Sequence, residues 1–173
     1  MKNIFTSQTY GEQLSLKETL RIIEKIILEN NEDNFVLAIG TDSQNKKTTT
    51  VFTSAIVLHK VGKGGIFFYE RESRKRYINR NVRLLEEANL TIELGRKIID
   101  QIEIDYLEDT FDLDKADFKL ELHCDYGKNG ASNEVLKQAI GWISSSFIGN
   151  SVEVKVKPNS YAASYVADSK AKE

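Results

Sequence analysis

Four acidic side chains stand singly at places from which carboxylates could hold a catalytic metal. Asp42 ends the run Phe35-Val-Leu-Ala-Ile-Gly-Thr-Asp42, Glu87 lies inside an amphipathic segment, Asp125 ends Phe118-Lys-Leu-Glu-Leu-His-Cys-Asp125, and Asp168 lies in an Ala-rich C-terminal segment. Hard divalent cations prefer carboxylate oxygen, and two such ions about 4 Å apart can activate water, neutralise a phosphate and stabilise a departing alkoxide. That order of acids raises the expectation of a nuclease. Each acid also has an ordinary reading. Asp42 and Asp125 suit turns, where Asp satisfies its own nearby backbone; Glu87 suits the exposed side of a helix; Asp168 suits the exposed side of a last helix.

The elements that must position these acids are legible from periodicity. Leu16, Leu20, Ile23 and Ile27 repeat at helical spacing, Ser15 with Glu18 forms a capping-box pattern, and Asn30-Asn31 ends the segment. Residues 35–41 form an apolar run expected of a strand covered on both faces. Residues 50–61 and 66–72 read as two more strands joined through Gly62-Lys-Gly-Gly65, which makes an antiparallel meander. From Val82 to Ile102 the apolar residues recur with helical period and no Pro interrupts them. Residues 103–117 are strongly acidic and read as a solvated connection. A fourth strand is expected at 118–125, a helix at 132–147, a fifth strand at Val152–Val156 stopped by Pro158, and a last helix from Tyr161 capped by Asn159-Ser160. The fold class is therefore α/β: a mixed five-stranded sheet, three antiparallel strands then parallel ones, with helices on both faces and an N-terminal helix. Right-handed crossovers bring strand four beside strand one, so Asp42 and Asp125 leave neighbouring strands at adjacent ends.

Composition narrows the choices. The chain has 173 residues, 40% of them hydrophobic, enough for one core and short for two, so residues 1–173 read as a single domain with residues 1–33 as a helical extension. A net charge of −2 and a pI near 5.8 argue against a general polyanion binder, so any nucleic-acid contact must be local. Cys124 cannot form an internal disulfide and reads as a buried small hydrophobe. The N-terminus lacks an apolar signal region and no stretch approaches the roughly 20 apolar residues that span a bilayer. A soluble, cytoplasmic protein is expected.

The motifs Ile39-Gly-Thr-Asp-Ser-Gln44, Leu84-Leu-Glu-Glu-Ala88 with Thr91-Ile-Glu-Leu94, His123-Cys-Asp-Tyr-Gly127 with Asn129-Gly130, and Lys157-Pro-Asn-Ser-Tyr-Ala-Ala163 with Val166-Ala-Asp168 come in a specific order. In that order the chain, from about residue 35 onward, resembles the ribonuclease H-like superfamily and more closely the YkuK-type family of predicted ribonuclease H-related proteins. The resemblance implies that Asp42 is the first-strand aspartate, Glu87 or Glu86 the first-helix glutamate, Asp125 the fourth-strand aspartate and Asp168 the C-terminal acid. It further implies Mg²⁺ or Mn²⁺ as cofactor and nucleic acid (RNA, DNA or a hybrid) as substrate. Helix geometry favours Glu87, which shares a face with Leu84, Ala88, Thr91 and Gly95, whereas Glu86 aligns with Asn89, Glu93 and Lys97 as a solvated charge.

Other residues could serve substrate. Ser43 and Gln44 can hydrogen-bond a phosphate or sugar beside Asp42, or simply make a turn. The segment Arg71 to Arg83 holds six cationic residues and one acidic residue. Within it Arg74, Arg76 and Arg80 can clasp phosphates while Tyr77 offers a stacking surface, or the segment is a basic loop paired with the acidic 103–117 stretch. His123 shares a sheet face with Asp125 and reads either as a residue that orients a metal-bound water or as a satisfied strand histidine. The turn Gly127 to Gly130 offers backbone amides or is a plain turn. Two functional readings stand: a divalent-metal-dependent nuclease or phosphodiesterase, and a non-catalytic nucleic-acid- or protein-binding module on the same fold.

Overall fold

A computed structural model describes residues 2–112, 115–124, 137–138, 141–142, 145, 152–156 and 158–172. Asp125, the turn at 126–130 and most of the helix expected at 132–147 lie outside the described residues. Residues 137, 138, 141, 142 and 145 are helical.

The strands are β1 (Ile4–Ser7), β2 (Gly11–Ser15), β3 (Phe35–Asn45), β4 (Thr49–Lys60), β5 (Gly64–Lys75), β6 (Lys119–Cys124) and β7 (Val152–Val156). They form one seven-stranded sheet in the order β2-β1-β5-β4-β3-β6-β7. The five expected strands are present as β3 to β7. The meander is antiparallel, and β6 pairs parallel with both β3 and β7. The two extra strands are a hairpin that the sequence hides. β1 has only four residues and β2 five, Gly11 and Gln13 both adopt positive φ, and β1 meets β5 through the Thr6↔Tyr69 pairing. The hairpin is held by Phe5, whose ring is fully buried. The N-terminal extension is thus a hairpin followed by a helix.

Helix α1 (Leu16–Glu29) begins as expected: the Ser15 hydroxyl accepts from the Glu18 N–H at 3.2 Å, and the Glu18 carboxylate accepts from the Ser15 N–H at 2.8 Å. Helix α2 (Arg80–Leu107) is longer than its apolar period suggests and takes in part of the acidic stretch. Asp105, expected to be solvated, is instead buried, with its carboxylate 2.9 Å from the Lys17 ammonium. Both helices cover one sheet face over a core that includes Leu20, Ile23, Leu37, Ile39, Ile56, Phe68, Leu94 and Ile98. On the other face Ala38, Ala55 and Val57 meet Ala162 and Ala167 of a π-helical segment, Ala162–Ala167, which runs into α3 (Asp168–Lys172). Small side chains on both partners let the C-terminal segment approach the sheet closely. No helix among the described residues is long and apolar enough to cross a membrane.

Strand β3 departs from the expected length. Asp42 does not end it: the ladder to β4 continues through Asp42↔Thr53, Ser43↔Phe52, Gln44↔Val51 and Asn45↔Thr50. Polar residues that look like turn chemistry are carried into the sheet by the β-branched and aromatic residues opposite them. On its other edge β3 pairs with β6 only as far as Gly40↔His123. The segment from Thr41 to Asn45 therefore runs past the last of these pairings.

Candidate active site

Alternation along β3 assigns its side chains to two faces. Ala38, and hence Asp42, belongs to the face covered by the C-terminal helix, while Leu37, Ile39 and hence Ser43 belong to the face covered by α2. Two carboxylate arrangements result, one on each side of the same stretch of strand.

On the α2 side, the Ser43 hydroxyl donates to Glu87 Oε1 at 2.5 Å, and both side chains are buried. Burying a carboxylate is costly unless donors compensate, and this hydroxyl is one such donor. The residues expected on the Glu87 face, Leu84, Ala88, Thr91 and Gly95, are all buried with it. Thr91 donates its hydroxyl to the Glu87 carbonyl at 2.9 Å. One turn earlier on α2, Arg83 donates from Nη1 to the Ser43 carbonyl at 3.0 Å, so two helix residues grip one strand residue. Glu86 is not the solvated charge its helix face suggested: it is half-buried and ion-paired with Arg74, which also pairs with Glu72. Those two glutamates hold the Arg74 guanidinium well above its usual range, Glu72 contributing most.

On the other side, Asp42 is half-buried on β3 and Asp168 opens α3. The Lys172 ammonium donates to Asp168 Oδ2 at 2.5 Å. Its pKa is raised chiefly by that hydrogen bond, then by the Asp168 charge and further by the charge of Asp42. The two acids, 126 positions apart in sequence, thus both act on Lys172, Asp168 by direct contact and Asp42 through its charge. The Lys172 carbonyl in turn accepts from the Lys46 ammonium at 3.4 Å.

His123 is fully buried and both ring nitrogens are engaged. Nδ1 accepts the Ala162 N–H at 3.1 Å, so in the neutral ring Nε2 carries the proton and donates to Glu121 Oε2 at 2.8 Å. Burial holds its pKa below the ordinary imidazole value, against the opposing pull of Glu121. Tyr161 packs edge-on against His123 with ring centroids 4.5 Å apart, and burial pushes its phenol up to about 12. His123 is the satisfied strand histidine; it supplies an acceptor for the first turn of the helix that carries Asp168.

The basic segment is not one loop. Arg71 and Arg74 lie on β5, Arg80 and Arg83 on α2, and only residues 76–79 connect them. The turn between β3 and β4 adds Lys46 and Lys47, two exposed cations that the sequence reading passed over. Arg76 ties this turn down, its Nη1 donating to the Lys47 carbonyl at 3.1 Å. Tyr77 is half-buried with its ring edge-on to Phe52 at 5.3 Å, and Gln44 Oε1 is buried without a partner among the described residues. The signals that sequence alone could have used were the Lys46-Lys47 doublet in a turn and the placement of Arg83 four residues before Glu87.

Concave volumes lie elsewhere, such as a cavity of about 760 Å³ lined by Glu24, Tyr106, Phe111 and Asp112. The candidate site is an open sheet end. Among the described residues no group of three or more His, Cys, Asp or Glu side chains converges to hold a metal, and Asp125 is outside them. The carboxylates of Asp42, Glu87 and Asp168 are hard oxygen donors of the kind divalent ions prefer.

Residues 18–172 match the model of the family described as Ribonuclease H-like. The chain belongs to that family. It is similar to the uncharacterized protein YkuK of Bacillus subtilis (strain 168), at 29% identity over 157 residues, covering 87% of each chain. Among solved structures it is similar to RNase H1 from the halophilic archaeon Halobacterium salinarum NRC-1, over 73% of this chain and 88% of that one, at 14% identity and a TM-score of 0.33. That structural likeness is too slight to carry an argument. Membership in the ribonuclease H-like family points to nucleic-acid-related function.

Proposed function

We propose that the protein is a divalent-metal-dependent nuclease, hydrolysing phosphodiester bonds of nucleic acid at the open end of β3. The observation that carries this reading is the ion pair of Asp168 with Lys172, whose ammonium also feels the charge of Asp42, beside the strand residue that holds Glu87. Asp42, Glu87, Asp125 and Asp168 would hold Mg²⁺ or Mn²⁺. Bound there, the ion supplies a water of lowered pKa and charge stabilisation at the phosphate.

The chain's own residues divide the remaining work. Ser43 and Arg83 fix Glu87 against β3. Lys46, Lys47, Arg76 and Arg80 provide the local positive charge that an acidic protein needs to hold a phosphate backbone. Arg74, engaged by Glu72 and Glu86, positions α2 against β5 and is a weaker candidate for phosphate. A divalent ion held there would compete with Lys172 for Asp168.

The non-catalytic binding module is favoured by one observation, the exposed Lys46-Lys47 turn that Arg76 holds in place, a cationic surface that needs no metal. Crystals soaked in millimolar Mn²⁺ separate the readings by anomalous diffraction. A peak bound by at least two of Asp42, Glu87, Asp125 and Asp168, together with Mn²⁺-dependent cleavage that Asp42→Asn abolishes, supports the nuclease. Nucleic-acid binding without a peak or cleavage, weakened by Arg76→Ala but not by Asp42→Asn, supports the module.

A further inference from the structure

The most exposed large apolar side chain among the described residues is Ile78, at 94%. A single exposed apolar residue is ordinary on a protein surface. What sets Ile78 apart is that the backbone around it is pinned on both sides. Before it, the Arg76 N–H donates to the Thr48 carbonyl at 3.2 Å, and the Tyr77 N–H donates to the Thr50 hydroxyl at 2.8 Å. The Tyr77 carbonyl accepts from Asn45 Nδ2 at 3.1 Å. After it, Asn79 caps α2, its side chain accepting from the Asn81 and Val82 N–H groups at 2.8 and 3.3 Å. A loop this constrained cannot fold Ile78 back onto the surface. Val82, one turn into α2, is itself 50% exposed and extends the apolar spot.

Positive charge flanks the spot along the chain. Arg76 and Arg80 flank Ile78 in sequence, and the Lys47 carbonyl is bound directly by Arg76, which brings the Lys46-Lys47 turn alongside. An apolar side chain held rigidly among cations suits a nucleic acid in which an unstacked base step offers apolar surface and the flanking phosphates offer negative charge. The span decides between polymer and mononucleotide. Ile78 lies just before α2 and Glu87 seven residues along it from Arg80, about 10 Å of helix, close to three phosphate steps of a strand. A ligand that reaches both must be several nucleotides long.

We infer that residues 76–80 form a wedge with which the protein recognises the junction between a duplex and a single strand, Ile78 entering the terminal base step while Arg76, Arg80 and the Lys46-Lys47 turn hold the phosphates. This rests on the nucleic-acid reading of the site and names the shape of its substrate. The test uses the Asp42→Asn protein, to keep the probe intact, and duplexes with a single-stranded tail carrying 2-aminopurine at the junction, made in RNA and in DNA.

Binding raises the 2-aminopurine fluorescence as the base unstacks. Ile78→Ala removes that rise and weakens junction binding about tenfold with the salt dependence unchanged, and Ile78→Phe restores both. Arg76→Ala and Arg80→Ala each lower the slope of log affinity against log salt by about one and retain the rise at saturation. Salt-dependent binding with no rise, or a rise that survives Ile78→Ala, overturns the wedge and leaves the nucleic-acid reading standing. Failure of every probe to bind overturns both. Circular dichroism of each variant confirms folding, which the exposure of Ile78 leaves intact.

Discussion

The two sides of β3 hold their carboxylates in opposite ways. On the α2 side Glu87 is buried, receives the Ser43 hydroxyl and is stapled beside Arg83. On the C-terminal side Asp168 pairs with Lys172, which feels the charge of Asp42 and remains 60% exposed. The first arrangement is dry and fixed, the second wet and exchangeable. On the proposed reading, one side supplies rigidity and the other access.

The largest expected effect separates adjacent glutamates. Glu87→Gln lowers Mn²⁺-dependent cleavage by more than about 100-fold, whereas Glu86→Gln lowers it less than about tenfold, because Glu86 acts only through Arg74. The reverse ranking in a steady-state nuclease assay would show that the fixed side is not part of the chemistry. Stability should rank the two sides the same way. Ser43→Ala leaves the Glu87 carboxylate short of a buried donor and costs about 1–3 kcal/mol in urea unfolding. Lys172→Ala leaves the midpoint unchanged and tightens Mn²⁺ binding by isothermal titration calorimetry, since a competing cation is removed. Equal losses of stability would erase the distinction between dry and wet.

A third measurement sharpens the comparison through pH. His123 joins β6 to the segment carrying Asp168, and its pKa is depressed by burial below the ordinary value of 6.5. Between that depressed value and 6.5 the unfolded chain binds the extra proton and the folded one does not. Stability therefore falls as pH drops through this window and is fully present above it. Urea midpoints for the wild type should decline below about pH 6.5, and His123→Gln should remove that component. A His123→Gln protein with the same decline would place the titration elsewhere.

Much of this was legible in sequence because it rests on periodicity. The capping box of Ser15 and Glu18, the meander, the parallel placement of the fourth and fifth strands and the helix face that Glu87 shares with Leu84, Ala88, Thr91 and Gly95 follow from spacing alone. What stayed hidden depends on partners far along the chain. The strand character of Asp42 to Asn45 comes from residues 50–53 opposite. The β1–β2 hairpin has too few residues, two of them at positive φ, to show an alternating pattern. Buried Asp105 became legible only through Lys17, and the placement of Asp168 on the Asp42 face of β3 only through the packing of alanines between β3 and the C-terminal segment.

The parallel pairing of β3 with β6 joins Val36 to Lys119, 83 residues later in the chain. Closing so long a loop costs entropy that the neighbouring meander, built from adjacent strands, does not incur. During synthesis the meander can form as soon as it leaves the ribosome, and α2 can bring Glu87 to Ser43 next. Asp168 is made 126 residues after Asp42, so the nascent chain carries the rigid half of its site before the exchangeable half exists. The C-terminal helix, with Asp168, is the last part of the candidate site to be made.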